Sequence, residues 1–278
     1  MTPPRRLMMT ALNDYYGFTQ TPFSRSIDTT NLFPSHGHQE IQGRLSFALQ
    51  ERLPALITGD VGTGKSTALR AFVQSLDRNL FPVAYLANPH LKVSTLYSQI
   101  LLALQVEPAY SFNRLLPQLR STLSDLARQG RYLLLIVDEA HRLPPDIFDQ
   151  LRFLLNEQMD SASLLTLVLL GQPDLAHQLR FAPFQALHQR LAVRYYLRPF
   201  DLQETAAYVK HHLRLAGYQN QLFSDAFIAA LHDYTKGVAR QINNLCRAAL
   251  LLGVTESKQI LDETDLKRVI RDQDGQSS

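Results

Sequence analysis

Three groups of residues in the sequence are suited to chemistry on a phosphate chain, and the first lies in "GDVGTGKST" at residues 59–67. It fits the pattern G-x-x-x-x-G-K-[ST], in which glycines let backbone N–H groups face phosphate oxygens. Lys65 then reaches the β- and γ-phosphates, and Ser66 becomes a Mg²⁺ ligand. The sequence therefore predicts a nucleoside triphosphate site. The predicted contacts are Gly59, Asp60, Val61, Gly62, Thr63, Gly64, Lys65, Ser66 and Thr67.

The second stretch, "LLLIVDEAH", places two carboxylates side by side after five apolar residues. Ligands of open α/β sheets bind at the carboxyl ends of strands, so Asp138 is predicted to hold Mg²⁺ through water. Glu139 is predicted to polarise the attacking water. An acid beside the magnesium aspartate favours hydrolysis over transfer to a small molecule.

The third group consists of polar and basic residues farther along the chain. Gln172 ends the apolar run in "VLLGQPDL", where it is predicted to contact the attacking water or the γ-phosphate. Arg190 and Arg194 lie in "FQALHQRLAVRYYLRPF", and one of them is expected to enter a neighbouring subunit's site. Arg240 in "KGVARQINNLCRAAL" is expected to contact the γ-phosphate. These assignments predict a homo-oligomer, as a ring or a filament.

The elements that position these residues follow from hydrophobic periodicity. Apolar runs at 53–59, 82–88, 133–138 and 164–170, with a shorter one at 193–200, alternate with helical patterns. This alternation predicts a parallel sheet covered on both faces. After Pro199 four helical patterns follow without strands. The predicted division is an N-terminal entry segment at 1–45, of which 14–45 are mixed and turn-rich, an α/β core at 46–200, a helical lid at 201–272 and a frayed tail at 273–278.

The letters D-E-A-H at 138–141 also raise the possibility of a nucleic-acid helicase. A helicase of that class needs a second sheet domain that sandwiches the nucleotide. The chain after position 200 is short and helical, so the helicase alternative fails. A site completed by a small lid and by a neighbouring subunit fits instead.

Together these motifs resemble AAA+ ATPases of the ExeA-like group, which also includes the transposition regulators TnsC, TniB and MuB. The resemblance spans roughly residues 12–272 and includes the N-terminal motif "YYGFTQTPFS". It implies an α/β AAA+ P-loop domain of the ASCE type with a parallel sheet and a small all-α lid, using ATP and Mg²⁺. It makes Gln172 sensor 1, Arg190 the arginine finger and Arg240 sensor 2. Gln172 departs from the Asn or Thr that many AAA+ proteins carry there.

Within the N-terminal motif, Phe18, Pro22 and Phe23 have two interpretations. They either pack near the adenine or serve as ordinary core residues.

Composition narrows the class of protein. The net charge of +3 permits nucleic-acid binding without requiring it, and the single cysteine excludes a disulfide framework. No apolar run approaches the roughly 18 residues of a membrane helix, and no signal peptide is evident. A cytoplasmic protein without membrane association is predicted.

The cellular process that this ATPase would serve is predicted from the resemblance. ExeA itself carries a transmembrane helix and a peptidoglycan-binding domain after the ATPase, and this sequence ends where that helix would begin. A transposition accessory protein is therefore favoured, one that assembles on and leaves double-stranded DNA and recruits or activates a transposase. The alternatives are an ExeA-like ATPase for assembly of a secretion or pilus system, and an NTP-dependent switch unrelated to DNA.

Two loops are the candidates for DNA contact. Lys92 and Ser94 lie in "NPHLKVST", and Ser111 and Arg114 lie in "AYSFNRLL". Lysine, arginine and hydroxyl groups at such positions bind phosphates, so binding without sequence preference and with strong salt dependence is expected. The alternative is ordinary exposed loop charge.

Overall fold

The structure, a computed structural model, describes residues 12–24, 27–87, 92–156 and 163–275. The chain divides into two compact units. The sheet unit comprises residues 36–60 and 65–197, and the helical unit comprises the chain up to Ser35, Val61–Gly64 and Arg198 onward. This division is made by contacts within each unit, and the domain boundaries that the sequence predicts at residues 45, 200 and 272 stay predictions.

A single parallel sheet organises the sheet unit. Its five strands are β1 (Ala55–Gly59), β2 (Val83–Leu86), β3 (Leu133–Val137), β4 (Leu165–Gly171) and β5 (Val193–Leu197). The spatial order is β2-β3-β4-β1-β5, and every pairing is parallel. All positions of β1, β3 and β4 are buried, as expected for central strands covered on both faces. The predicted α/β fold is confirmed.

Helices cover both faces of this sheet. They are α1 (His36–Gln50), α2 (Lys65–Ser75), α3 (Val93–Ala103), α4 (Phe112–Arg128), α5 (Pro145–Leu154), α6 (Pro173–Gln178) and α7 (Gln185–Arg190). Side chains alternate along a strand, so Leu135 and Val137 pack into one hydrophobic layer, whereas Leu134 and Ile136 pack into the opposite one. The strand ends between the two layers are therefore held rigidly.

Helix α1 corrects one expectation. The sequence at 14–45 predicts a mixed, turn-rich segment, but the chain is helical from His36. Ile41, Leu45 and Leu49 are buried on one face at helical spacing, and Gly37 lies against Leu197. The polar start of the helix, "HGHQE", hides this apolar periodicity in the sequence.

The helical unit contains α8 (Leu202–Leu215), α9 (Asp225–Thr235), α10 (Ala239–Thr255) and α11 (Glu263–Gly275). Asp201 and Glu204 form a capping box that starts α8. Phe18 and Phe23 lie in the apolar core of this unit, where Phe23 packs against the His212 ring at 5.0 Å. Core packing thus accounts for both phenylalanines. No helix in the described part of the chain has the length and apolarity required to cross a bilayer.

Candidate active site

The phosphate loop follows β1 and leads directly into α2. Gly62 and Gly64 have φ angles of +87° and +105°, which glycine adopts without the steric cost that a side chain brings. Within the sheet unit, Lys65 Nζ donates to the carbonyl oxygens of Gly59 at 2.6 Å and Asp60 at 2.9 Å. The ammonium group is thus held against the loop at the start of α2, where helix N–H groups favour anions.

Asp138, the first residue after β3, is a buried carboxylate with three hydrogen-bond donors. Ser66 Oγ donates to its Oδ2 at 3.1 Å, and Tyr85 Oη donates to the same oxygen at 2.7 Å. The backbone N–H of Glu139 donates to Oδ1 at 2.8 Å. The Ser66 hydroxyl and the Asp138 carboxylate are hard oxygen ligands, and Mg²⁺ commonly takes one or two carboxylates beside substrate phosphates. This donor set therefore fits Mg²⁺.

Tyr85 is a site residue that the sequence analysis did not identify. It lies on the edge strand β2, where it pairs with Ile136. Burial and the hydrogen bond to Asp138 raise the pKa of Tyr85, so the phenol keeps the proton that it donates. The sequence feature that could have identified Tyr85 is its position near the carboxyl end of the strand that neighbours the strand before Asp138.

Glu139 and Gln172 are brought together through His141. Glu139 adopts a left-handed φ of +52°, and its side chain is half exposed. His141 Nε2 lies 3.5 Å from Glu139 Oε2 and 3.1 Å from Gln172 Nε2. Gln172 follows β4 directly, and its backbone N–H donates to His141 Nδ1 at 3.4 Å. His141 is a further site residue that the sequence motifs do not indicate, and its only signal is the last letter of D-E-A-H.

Gly171 allows α6 to pack closely against the end of β4. A Cβ at Gly171 would lie 2.8 Å from Leu175 Cδ2, whereas it would lie at an ordinary contact distance of 3.4 Å from the backbone nitrogen of His141. A larger residue would therefore displace the Leu175 side chain first.

The two candidate finger arginines differ in their surroundings. Arg194 Nε donates to the Leu191 carbonyl at 3.0 Å, and its Nη2 donates to the His188 carbonyl. Arg194 thereby binds carbonyls at the C-terminal end of α7. Arg190 is the last residue of α7 and is half-buried. These bonds give Arg194 a structural role, and Arg190 as the finger stays a prediction.

A second tyrosine contacts the phosphate loop within the sheet unit. Tyr196 on β5 donates to Asp60 Oδ2 at 3.0 Å. Burial is the larger cause, and this hydrogen bond the next, of a raised pKa of Tyr196. The sequence motifs do not indicate this contact either. The hydrogen bond fixes the Asp60 side chain beside the first turn of the loop.

Within the helical unit, the tip of the phosphate loop contacts the start of α10. The backbone N–H of Arg240 donates to the Gly62 carbonyl at 3.1 Å, and a Cβ on Gly62 would lie 2.8 Å from Arg240 Cβ. Gly237, at φ +76°, forms the preceding turn, where a Cβ would lie 1.8 Å from the Phe200 carbonyl oxygen. Glycines at both positions therefore bring Arg240 beside the loop tip, with its side chain exposed.

The candidate DNA contacts lie at the starts of two successive helices. Lys92 precedes α3 and Ser94 is in its first turn, whereas Ser111 precedes α4 and Arg114 is in its first turn. The remainder of α3 and the loop that follows it separate the two pairs along the chain. The four residues "NPHL" of the first candidate loop, 88–91, lie outside the described residues.

Comparison with known proteins identifies the fold. Residues 49–179 match the family model described as AAA domain. General secretion pathway protein A of Aeromonas hydrophila is 34% identical over 240 residues, which are 85% of this chain and 44% of that protein. The chain thus spans less than half the length of this relative.

Solved structures agree at lower identity. Drosophila ORC bound to DNA matches with a TM-score of 0.69 at 17% identity, over 97% of this chain and 67% of that one. The Aeropyrum pernix ORC2 protein matches with a TM-score of 0.67 at 16% identity, over 90% and 70%. A Thermotoga maritima RuvB mutant matches with a TM-score of 0.55 at 17% identity, over 84% and 70%. These similarities show the fold alone.

Proposed function

We propose that this chain, which has the AAA+ P-loop fold with an AAA domain match over residues 49–179, is an ATPase that drives an assembly step in protein secretion. The observation that carries the proposal is its 34% identity with General secretion pathway protein A, which extends over 85% of the chain. The transposition role favoured from the sequence rested on where the sequence ends. The relative favours the secretion alternative instead.

The arrangement in the sheet unit supports hydrolysis of ATP. Lys65, held at the start of α2, is suited to neutralise the β- and γ-phosphates once it leaves the loop carbonyls. Ser66 and Asp138 would hold Mg²⁺, which supplies charge neutralisation at the phosphates. Glu139 would accept the proton of the attacking water, and Gln172 would orient that water or the γ-phosphate.

Self-assembly completes the proposed cycle. Arg190 would contact the γ-phosphate of a neighbouring subunit, so ATP would close the interface between copies and hydrolysis would open it. Arg240 would make the conformation of the lid depend on whether ATP or ADP is bound, because its backbone N–H already donates to the loop tip. A switchable oligomer of this kind can drive assembly of a larger machine.

A chimera tests the secretion role. In Aeromonas hydrophila, the aligned 240-residue segment of General secretion pathway protein A would be replaced by this chain, and the protein secreted into the medium would be measured. We expect secretion to be restored in part. The same chimera with Glu139→Gln, made at equal abundance, should not secrete. Equal secretion by both chimeras, or none by either, would contradict the proposal.

Assembly on double-stranded DNA, with recruitment of a transposase, is the second candidate. It is supported by an exposed stretch at the start of α4, where Tyr110 and Phe112 flank Ser111 and Arg114 follows. Exposed aromatic and basic side chains together suit contact with nucleic acid. Lys92 would add a second phosphate contact.

Filter binding with duplex DNA tests this candidate, with a non-hydrolysable ATP analogue and with ADP. Tighter binding with the analogue is expected. If Arg114 contacts a phosphate, Arg114→Ala should reduce the slope of log affinity against log salt concentration by about 0.9 for each bound copy. Lys267→Ala, an exposed change on α11, is the control. Absence of binding in both nucleotide states would eliminate this candidate.

A further inference from the structure

A histidine lies between the proposed water-activating acid and the proposed sensor. His141 is on the 3-10 turn that follows Glu139, and its side chain is only 12% exposed. One ring nitrogen faces Glu139 Oε2 and the amide of Gln172, and the other accepts from the Gln172 backbone. A single imidazole therefore touches residues from the ends of two neighbouring strands, β3 and β4.

We propose that His141 is a positioning residue that couples Gln172 to Glu139, so that the ring N–H is released to orient the carboxylate when the sensor amide turns toward the phosphate or water. This inference rests on the proposed hydrolysis at the same site. His141 does not contact the reacting atoms; it acts through the two side chains that do.

The donors and acceptors around the His141 ring determine how the coupling works. Because Nδ1 accepts the Gln172 backbone N–H, the neutral ring carries its proton on Nε2. That N–H then needs an acceptor, and both Glu139 Oε2 and the oxygen of the Gln172 amide qualify. A half-turn of the amide, which exchanges its nitrogen and oxygen, places the acceptor 3.1 Å from the ring. One proton is thus shared between the sensor and the acid.

Sharing one donor makes the two partners depend on each other. When the Gln172 amide turns toward a phosphate or water, the Nε2–H becomes fully available to Glu139. The Glu139 carboxylate is half exposed, so without a fixed donor its orientation is poorly restricted. Small errors in the placement of a catalytic group lower the rate strongly without weakening nucleotide binding.

Two substitutions separate the hydrogen bond from the bulk of the side chain. His141→Leu fills a similar volume without a donor, whereas His141→Gln keeps an N–H donor at similar reach. We expect His141→Leu to lower kcat roughly ten- to a hundredfold with KM for ATP unchanged. His141→Gln should recover part of kcat. His177→Leu, an exposed histidine on α6, is the matched control and should retain the wild-type kcat.

A double-mutant cycle with Gln172→Ala measures the coupling. If His141 and Gln172 act through one another, the double variant His141→Leu/Gln172→Ala should lose little more than the worse single variant. Multiplying losses would overturn the proposal, as would a His141→Leu protein with wild-type kcat. A His141→Leu protein that loses nucleotide affinity and thermal stability along with kcat would assign the residue a merely structural role and also overturn it.

The controls distinguish this inference from the proposed function. One outcome would overturn the inference alone: the wild type hydrolyses ATP, Glu139→Gln does not, and His141→Leu keeps full turnover. No turnover in the wild type as an oligomer would overturn both.

Discussion

Ser66 Oγ and Asp138 Oδ2 lie 3.1 Å apart although 72 residues separate them in the sequence. One follows β1 and the other follows β3, with β4 between these strands in the sheet. The contact joins the end of the phosphate loop to the proposed Mg²⁺ carboxylate and provides the geometry from which the following predictions start.

Lys65→Ala should lower ATP affinity roughly a hundredfold or more, since charge-assisted hydrogen bonds contribute about 1.5–3 kcal/mol each. A titration with a fluorescent ATP analogue measures this affinity. Lys210→Ala removes an exposed lysine from α8 and should bind normally. Unchanged affinity in a folded Lys65→Ala protein would show that the phosphates bind elsewhere.

Tyr85→Phe should raise the Mg²⁺ concentration needed for half-maximal turnover roughly tenfold, because Asp138 loses the 2.7 Å donor that orients it. At saturating Mg²⁺ the KM for ATP should be close to wild type. ATPase rates across a Mg²⁺ titration measure the effect. Tyr110→Phe, at a fully exposed tyrosine, is the control, and an identical Mg²⁺ response in both variants would refute the positioning role of Tyr85.

Arg190→Ala should lower turnover roughly a thousandfold, the usual scale for an arginine finger. Mixing it with Lys65→Ala should restore part of the activity, because the Lys65→Ala subunit still offers its own Arg190. The ATPase rate per subunit, followed across protein concentration, should rise with concentration in the wild type. A fully active, concentration-independent Arg190→Ala protein would contradict both the finger and the oligomer.

Arg194→Ala should act differently, because Arg194 bonds carbonyls at the end of α7. We expect a loss of about 1–3 kcal/mol in unfolding free energy, from hydrogen bonds to a charged donor. Denaturant unfolding measures it. Mixing with Lys65→Ala should not rescue any loss of turnover, and rescue there would make Arg194 the finger instead.

His212 should make the stability of the helical unit depend on pH. Burial, reinforced by His211, lowers the pKa of His212 from 6.5 to about 4, in contact with Phe23 and Tyr208. The unfolded chain therefore binds the proton first as pH falls. Its contribution is fully present above pH 6.5 and is lost progressively down to about pH 4, by about 3 kcal/mol at most.

Denaturant unfolding at about pH 7 and about pH 5 measures this loss. His212→Leu should flatten the difference between the two pH values, whereas the exposed change His177→Leu should leave it in place. An equal pH dependence in His212→Leu and wild type would exclude His212 as its source.

The sequence by itself determined the classes of chemistry and the elements that carry them. "GDVGTGKST" and "LLLIVDEAH" are local patterns, in which a loop or a strand end fixes the role of each residue type. The unalternated apolar runs likewise determined the parallel sheet, because only a sheet covered on both faces buries every position of β1, β3 and β4. The sequence did not predict the start of helix α1, because the first turn of this helix is polar and contains Gly37.

The tertiary structure alone decided which side chains meet. Tyr85, His141 and Arg194 carry no distinctive spacing in the sequence, since their partners come from other strands or from the end of a helix. The strand order β2-β3-β4-β1-β5 sets those encounters, because it places the ends of β3 and β4 side by side. Such contacts depend on the register of the sheet and on which strands are neighbours, and local periodicity encodes neither.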